Sequence, residues 1–218
     1  MNLILDFLSK LKENNNRDWF QANRSHYEQA RKDFEIFLSE IIAQINRFDN
    51  NTGLLTPQDC VFRIYRDIRF SPNKLPYKGH FGAYIAPGGR KSLLPGYYIH
   101  IEPGASFAGG GMYQPPSDML KKIRQEIYFN AGEMLDIVHA PEFIRVFGKL
   151  SADDALKRPP RDFPKDFQHM ELLMFRSYIA SSSLTDEELL SPGLSLHVSQ
   201  IFKTLYPLNR FLNRAIEL

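Results

Sequence analysis

"VFRIYRDIRFSPNKLPYKG", residues 61–79, is where the sequence changes period. Upstream, Phe34, Phe37, Leu38, Ile41, Ile42 and Ile45 recur at steps of three and four, the repeat of one helix face. From residue 61 the repeat becomes two. Phe62, Ile64, Ile68 and Phe70 fall on one side and Arg63, Tyr65, Asp67 and Arg69 on the other, as in a half-buried strand, with Arg66 intruding on the apolar side. A chain that passes from helix to strand here is predicted to be α+β.

Downstream, "HFGAYIA" (80–86), "YYIHIE" (97–102) and residues 105–113 read as further strands. The turn chemistries "PGGRKSLLPG" and "EPGA" separate them, and such short connections imply antiparallel pairing. A helix opens at "PPSDMLKKIRQEI" from 115, shorter helices follow, and residues 156–167 are a proline-rich basic loop. A strand around 174–181 precedes a last helix from about Ser195, with a kink expected at Pro207. Upstream, Ile4, Phe7, Leu8 and Leu11 make a first helical stripe, and a second helix is predicted from about Arg17 to Phe48. The expectation is a single domain over 1–218: several helices, including a long N-terminal one, packed on a mainly antiparallel sheet.

With 43% hydrophobic residues in 218, the chain has enough apolar material for a sizeable core. A formal charge of +2 means that any positive potential comes from local clustering. The lone Cys60 excludes an internal disulfide framework and any zinc site built from several thiolates, and it suits a reducing compartment. The amino terminus lacks a basic leader before an apolar core, and no window approaches the roughly 18 apolar residues of a membrane span. The expectation is a cytoplasmic protein with no membrane partner.

Residues 61–79 hold five Lys or Arg and one acid, Asp67. On one strand face Arg63 and Arg69 would repel unless an anion lay between them, and guanidinium groups suit bidentate binding of phosphate or carboxylate. Lys74 and Lys78 would follow on the next turn. Asp67 and Glu102 forming structural salt bridges with these arginines is the competing account. Tyr65 and Tyr77 are candidates to stack on a ligand ring. Arg17 and Arg24, around a helix start, are candidates to close the pocket from the other side. In "YYIHIEPG" alternation places Tyr98, His100 and Glu102 on one face, so His100 and Glu102, with Asp67, are candidates for proton transfer. His80, His100, Glu102 and Asp67 also make a conceivable metal set, but without tight ligand spacing no metal and no cofactor are expected. "GASFAGGGMY" lacks the Lys-Ser/Thr of a phosphate loop, so its glycines point to a tightly packed strand.

The strings "NNNRDWFQANRSHYE" (14–28), "FRIYRDIRFSPNKLPYK" (62–78), "APGG", "GYYIHIEPG", "GGGMYQP" and "LKRPPRDF" together resemble the microbial family catalogued as domain of unknown function 2461. The resemblance runs through nearly the whole chain and implies a single-domain protein of that family. From the residues, the expected function is binding of a small phosphate- or carboxylate-bearing molecule in a basic, aromatic-lined cleft, with turnover of that molecule left open by the sequence. The alternatives are a non-catalytic nucleic-acid-binding module and an interaction protein without a ligand.

Overall fold

The computed structural model describes residues 1–217. Helix α1 (Asn2–Glu13) buries Ile4, Phe7, Leu8 and Leu11, the stripe its periodicity dictates. The asparagine run ends it, and Asn16 starts α2 (Arg17–Ala22) by accepting a hydrogen bond from the Trp19 amide at 2.9 Å. The single helix predicted from Arg17 to Phe48 is interrupted at Asn23, whose Nδ2 donates to the Trp19 carbonyl at 2.9 Å. A side-chain amide that competes for backbone carbonyls favours a helix end over a helix interior. The long helix α3 begins afresh at Arg24 and runs to Ile45.

After the short helix α4 (Pro57–Cys60), residues 61–80 do not form the predicted strand. Val61 and Ala83 make one isolated bridge, and Tyr65 and Tyr77 another. The Arg66 amide donates to the Pro76 carbonyl at 2.9 Å and the Lys78 amide to the Ile64 carbonyl at 2.8 Å, so the segment doubles back on itself. Pro72 and Pro76 have no amide hydrogen to extend a ladder. The result is an irregular arm that joins the sheet edge through the Phe62 amide, which donates to the Gly82 carbonyl at 2.9 Å. Phe70, assigned by alternation to the apolar side, is 93% exposed.

The sheet has four strands, β1 (Phe81–Ile85), β2 (Gly96–Ile101), β3 (Ser106–Met112) and β4 (Tyr178–Leu184), in that spatial order and antiparallel throughout. Between β3 and β4 lie α5 (Ser117–Phe129), α6 (Ala131–Val138), α7 (Pro141–Phe147) and the short α8 (Met170–Leu173). The fourth strand starts later than the expected 174–181, because the Met174 carbonyl accepts from the Leu156 amide at 2.7 Å and the Phe175 carbonyl from Arg124 at 3.0 Å, outside the sheet. Helix α9 (Asp186–Leu190) follows, and α10 (Leu194–Glu217) continues through Pro207.

One sheet face carries Phe81, Ala83, Ile85, Tyr97, Ile99 and Ile101, all buried under the helices. Phe7 and Phe34 stack on Phe81 at 6.3 and 5.5 Å, and Phe202 packs on Tyr97 at 5.1 Å. Burying a side chain such as Phe81 stabilises the fold by about 1.5–3 kcal/mol. The glycines of β3 answer to close packing: Gly111, at φ 107°, lies where any side chain would collide with the Tyr178 carbonyl. Among the described residues no helix is long and apolar enough to cross a membrane.

Candidate functional site

Strand alternation places Tyr98, His100 and Glu102 on the sheet face opposite the core, as the sequence predicts. They form a hydrogen-bonded row. The Tyr98 hydroxyl meets His100 Nδ1 at 3.1 Å, and His100 Nε2 meets Glu102 Oε2 at 3.0 Å. With a neutral imidazole the consistent assignment has Tyr98 donating to Nδ1 and Nε2–H donating to the carboxylate. Gly82 makes room for this row, since a Cβ there would lie 2.7 Å from the Tyr98 hydroxyl oxygen.

Neighbouring strands hold His100 from both sides. Phe107 on β3, its register partner, stacks on it at 4.8 Å and 12°. His80, just before β1, lies against it at 4.1 Å and 33°. The His100 side chain is 12% exposed and that of Glu102 29%, so solvent reaches the row mainly from the carboxylate end. Burial, then the nearby His100 and Lys78, pull the His80 imidazole down to about 4, so it is neutral at physiological pH. Burial, then the Glu102 charge, pushes the Tyr98 hydroxyl up to about 12, so it remains protonated. One nitrogen or oxygen atom from each of His80, His100 and Glu102 falls within a mutual 4.8 Å.

The arm brings positive charge to this face. Lys78 Nζ lies 5.3 Å from the Phe62 ring centre, and Phe62 meets Tyr98 edge-on at 6.3 Å. Burial, and then the repulsion of Arg63, lower the Lys78 pKa. Arg66 bears on His80 as well, and its own side-chain bond is a long one, 3.4 Å to Ser71 Oγ. Among the described residues Arg63, Arg66 and Lys78 enter no salt bridge.

Other candidates are placed differently. Arg69 and Asp67 bind each other, at 3.0 and 2.7 Å, which is the salt bridge that the pocket reading competed against. These bonds from Arg69 hold the Asp67 carboxyl down to about 2, and Asp67 stands outside the His80, His100 and Glu102 cluster. Lys74 is exposed and donates to the Ile68 carbonyl at 3.0 Å. Tyr77 is buried and stacked on Phe20 at 4.0 Å, so its ring is already occupied, whereas Tyr65 is 46% exposed. Arg17 is exposed, and Arg24 is engaged with Glu28 at 2.9 Å. The sequence reading passed over Arg66, Phe62 and Phe107 as site residues. The antiparallel register of neighbouring strands was the signal that brings His80 and Phe107 beside His100.

Residues 3–211 match a family described as a conserved hypothetical protein, domain of unknown function 2461 (DUF2461). The chain belongs to this family. No curated protein and no solved structure matches it. Of the strings that carry the resemblance to DUF2461, three build the arm, the His100 row and the glycine strand, and the others lie at α2 and the start of α3, after β1 and in the loop before α8.

Proposed function

We propose that this protein binds, and turns over, a small phosphate- or carboxylate-bearing molecule held between the arm and the His100 face of the sheet. The observation that carries the reading is Lys78, a half-buried ammonium set beside Arg63 with no carboxylate paired to it. Desolvating a cation next to another cation is unfavourable, and an anionic ligand relieves both costs. Arg63 and Arg66 supply forked donors, Lys78 a point charge, and Phe62 and Tyr98 an aromatic flank. His100 and Glu102 stand at the reacting end of the bound molecule. Asp67, committed to Arg69, is left without a part in this reading. A cytoplasmic setting accords with it, Cys60 being a buried free thiol.

Thermal unfolding in the presence of a chelator, with phosphate, nucleotides and small dicarboxylates added in turn, tests the proposal. At least one class is expected to raise the melting temperature through preferential binding to the folded state, and Lys78→Met is expected to shrink the effect, so that about tenfold more ligand is needed for the same shift. No response to any of them, or a response unchanged in Lys78→Met, defeats the reading.

The nucleic-acid alternative has one specific support, the exposed Phe70 with the Arg69 guanidinium 5.9 Å from its ring centre, on the same arm as exposed Lys74 and Tyr65. Binding along a strand would show log K against log salt with a slope of about −0.7 to −0.9 per phosphate contacted, whereas a single enclosed anion gives a much shallower dependence. Tight, steeply salt-dependent binding of mixed-sequence DNA or RNA, lost in Phe70→Ala, would promote the alternative.

A further inference from the structure

We propose that His80, His100 and Glu102 hold one divalent transition-metal ion, with its open coordination positions facing the cationic arm. This inference rests on the reading of the same face as an anion site, and it gives His100 and Glu102 a definite part there: they act on the ligand through the ion.

Three observations support it. The three side chains offer two imidazole nitrogens and a carboxylate oxygen within a mutual 4.8 Å, because the antiparallel register brings His80, just before β1, to the end of β2 where His100 and Glu102 stand. This donor set suits zinc, iron, manganese or nickel and leaves positions free for water or ligand. The 3.0 Å separation of His100 Nε2 and Glu102 Oε2 is also about the distance between ligand atoms set at a right angle, as in an octahedral site, when metal bonds are about 2.0–2.2 Å.

Tyr98 is the second observation. A histidine that gives Nε2 to a metal carries its proton on Nδ1 and donates it to an orienting acceptor. Tyr98 Oη lies 3.1 Å from that Nδ1. On metal binding the neutral ring keeps one proton, now on Nδ1 instead of Nε2, and the Tyr98 hydroxyl turns from donor to acceptor. Tyr98 is thus a positioning residue, while Phe107 and His80 clamp the ring plane.

The third observation is the unmatched charge around the triad. Lys78 and Arg66 would repel a bare cation, so the ion is stable here when an anion lies between it and the arm. Metal and anion should therefore bind cooperatively, each raising the affinity of the other by the same factor.

The test is titration of the full chain, first freed of metal, with Co²⁺, followed by the visible ligand-field bands and by calorimetry, with and without sulfate as the oxyanion probe. One equivalent per chain is expected, with tighter binding in sulfate. His80→Gln and Glu102→Gln, each checked for native circular dichroism, should lose it. Tyr98→Phe, which keeps the ring packing and serves if either Gln variant fails to fold, should weaken it by about 10–100-fold. The remote control His26→Gln should bind as the parent does. Absence of stoichiometric binding, or binding indifferent to both Glu102→Gln and Tyr98→Phe, overturns the metal site. Anion stabilisation in chelator reads the arm without the ion, weaker by the coupling factor where the ion binds, so failure of the metal site leaves that stabilisation in place and the two proposals fail separately.

Discussion

Arg214 and Lys78 are each a cation lying against an aromatic ring, Arg214 at 5.1 Å from Phe211 and Lys78 at 5.3 Å from Phe62, yet their charges are treated in opposite ways. Arg214 donates to Glu126 at 2.7 Å and to Glu133 at 2.6 Å, and those bonds raise its pKa. It locks α10 to α5 and α6. Lys78 has the ring but no carboxylate, and its pKa is lowered. A cation matched within the fold serves the fold. One left unmatched while partly buried costs stability until something outside the fold completes it, and this is the physical content of calling the arm a binding element.

The comparison breaks first at Arg214. Arg214→Met should lower the unfolding free energy in a denaturant titration by about 2 kcal/mol, because it leaves Glu126, whose side chain is only 10% exposed, without its partner; the 41% exposure of Arg214 keeps the loss below that of a fully buried pair. A change under about 0.5 kcal/mol would show the cluster to be ornamental. Lys78→Met should reverse the pattern: stability within about 1 kcal/mol of the parent, since no internal pair is lost, and affinity for the stabilising anion down by about tenfold, equivalent to about 1.4 kcal/mol. If Lys78→Met instead unfolds the protein, the contrast collapses. Arg63→Met should behave likewise with a smaller, roughly threefold loss of affinity, since an exposed charge is screened by solvent. The smallest effect is expected at Arg69→Met, within about 0.5 kcal/mol and without change in anion affinity, its partner being the exposed Asp67; a marked loss of affinity there would widen the site toward Phe70.

The longer helices and three of the four strands were legible because their apolar residues repeat with the period of the element that buries them, as Phe34, Phe37, Leu38, Ile41 and Ile45 do in α3, whereas the one-turn helices α4, α8 and α9 are too short to show a period. Residues 61–70 misled because alternation in sequence describes a strand only if backbone partners exist. Here the amides of Phe62, Arg66 and Lys78 find single carbonyls instead of a ladder, and of the four residues read as one apolar face Ile64 is buried while Phe70 projects into solvent. Tyr98, His100 and Glu102 were readable as one face of β2. The weight of His80 was not, because its closeness to His100 depends on the register of β1 against β2. The pairing of Asp67 with Arg69 was readable as the competing account, since residues two apart share a strand face, and it forms here in an irregular backbone.

The attachment of the arm to the body has a kinetic meaning. Asn15 Oδ1 accepts from the Tyr77 amide at 3.1 Å and Asn15 Nδ2 donates to the Tyr77 carbonyl at 3.0 Å, so one side-chain amide imitates a strand neighbour. Asn15 and the bridge at Val61 tie the backbone of the basic segment to the body, and the bridge at Tyr65 closes the segment on itself, whereas β2 and β3 share a continuous ladder. Local opening of a segment so lightly tied needs less free energy than opening the sheet. The amide hydrogens of Arg66, Tyr77 and Lys78 should therefore exchange with deuterated water as one group, ahead of the strand amides. Slowing of that group on addition of an anion would report engagement of the arm before any chemistry takes place.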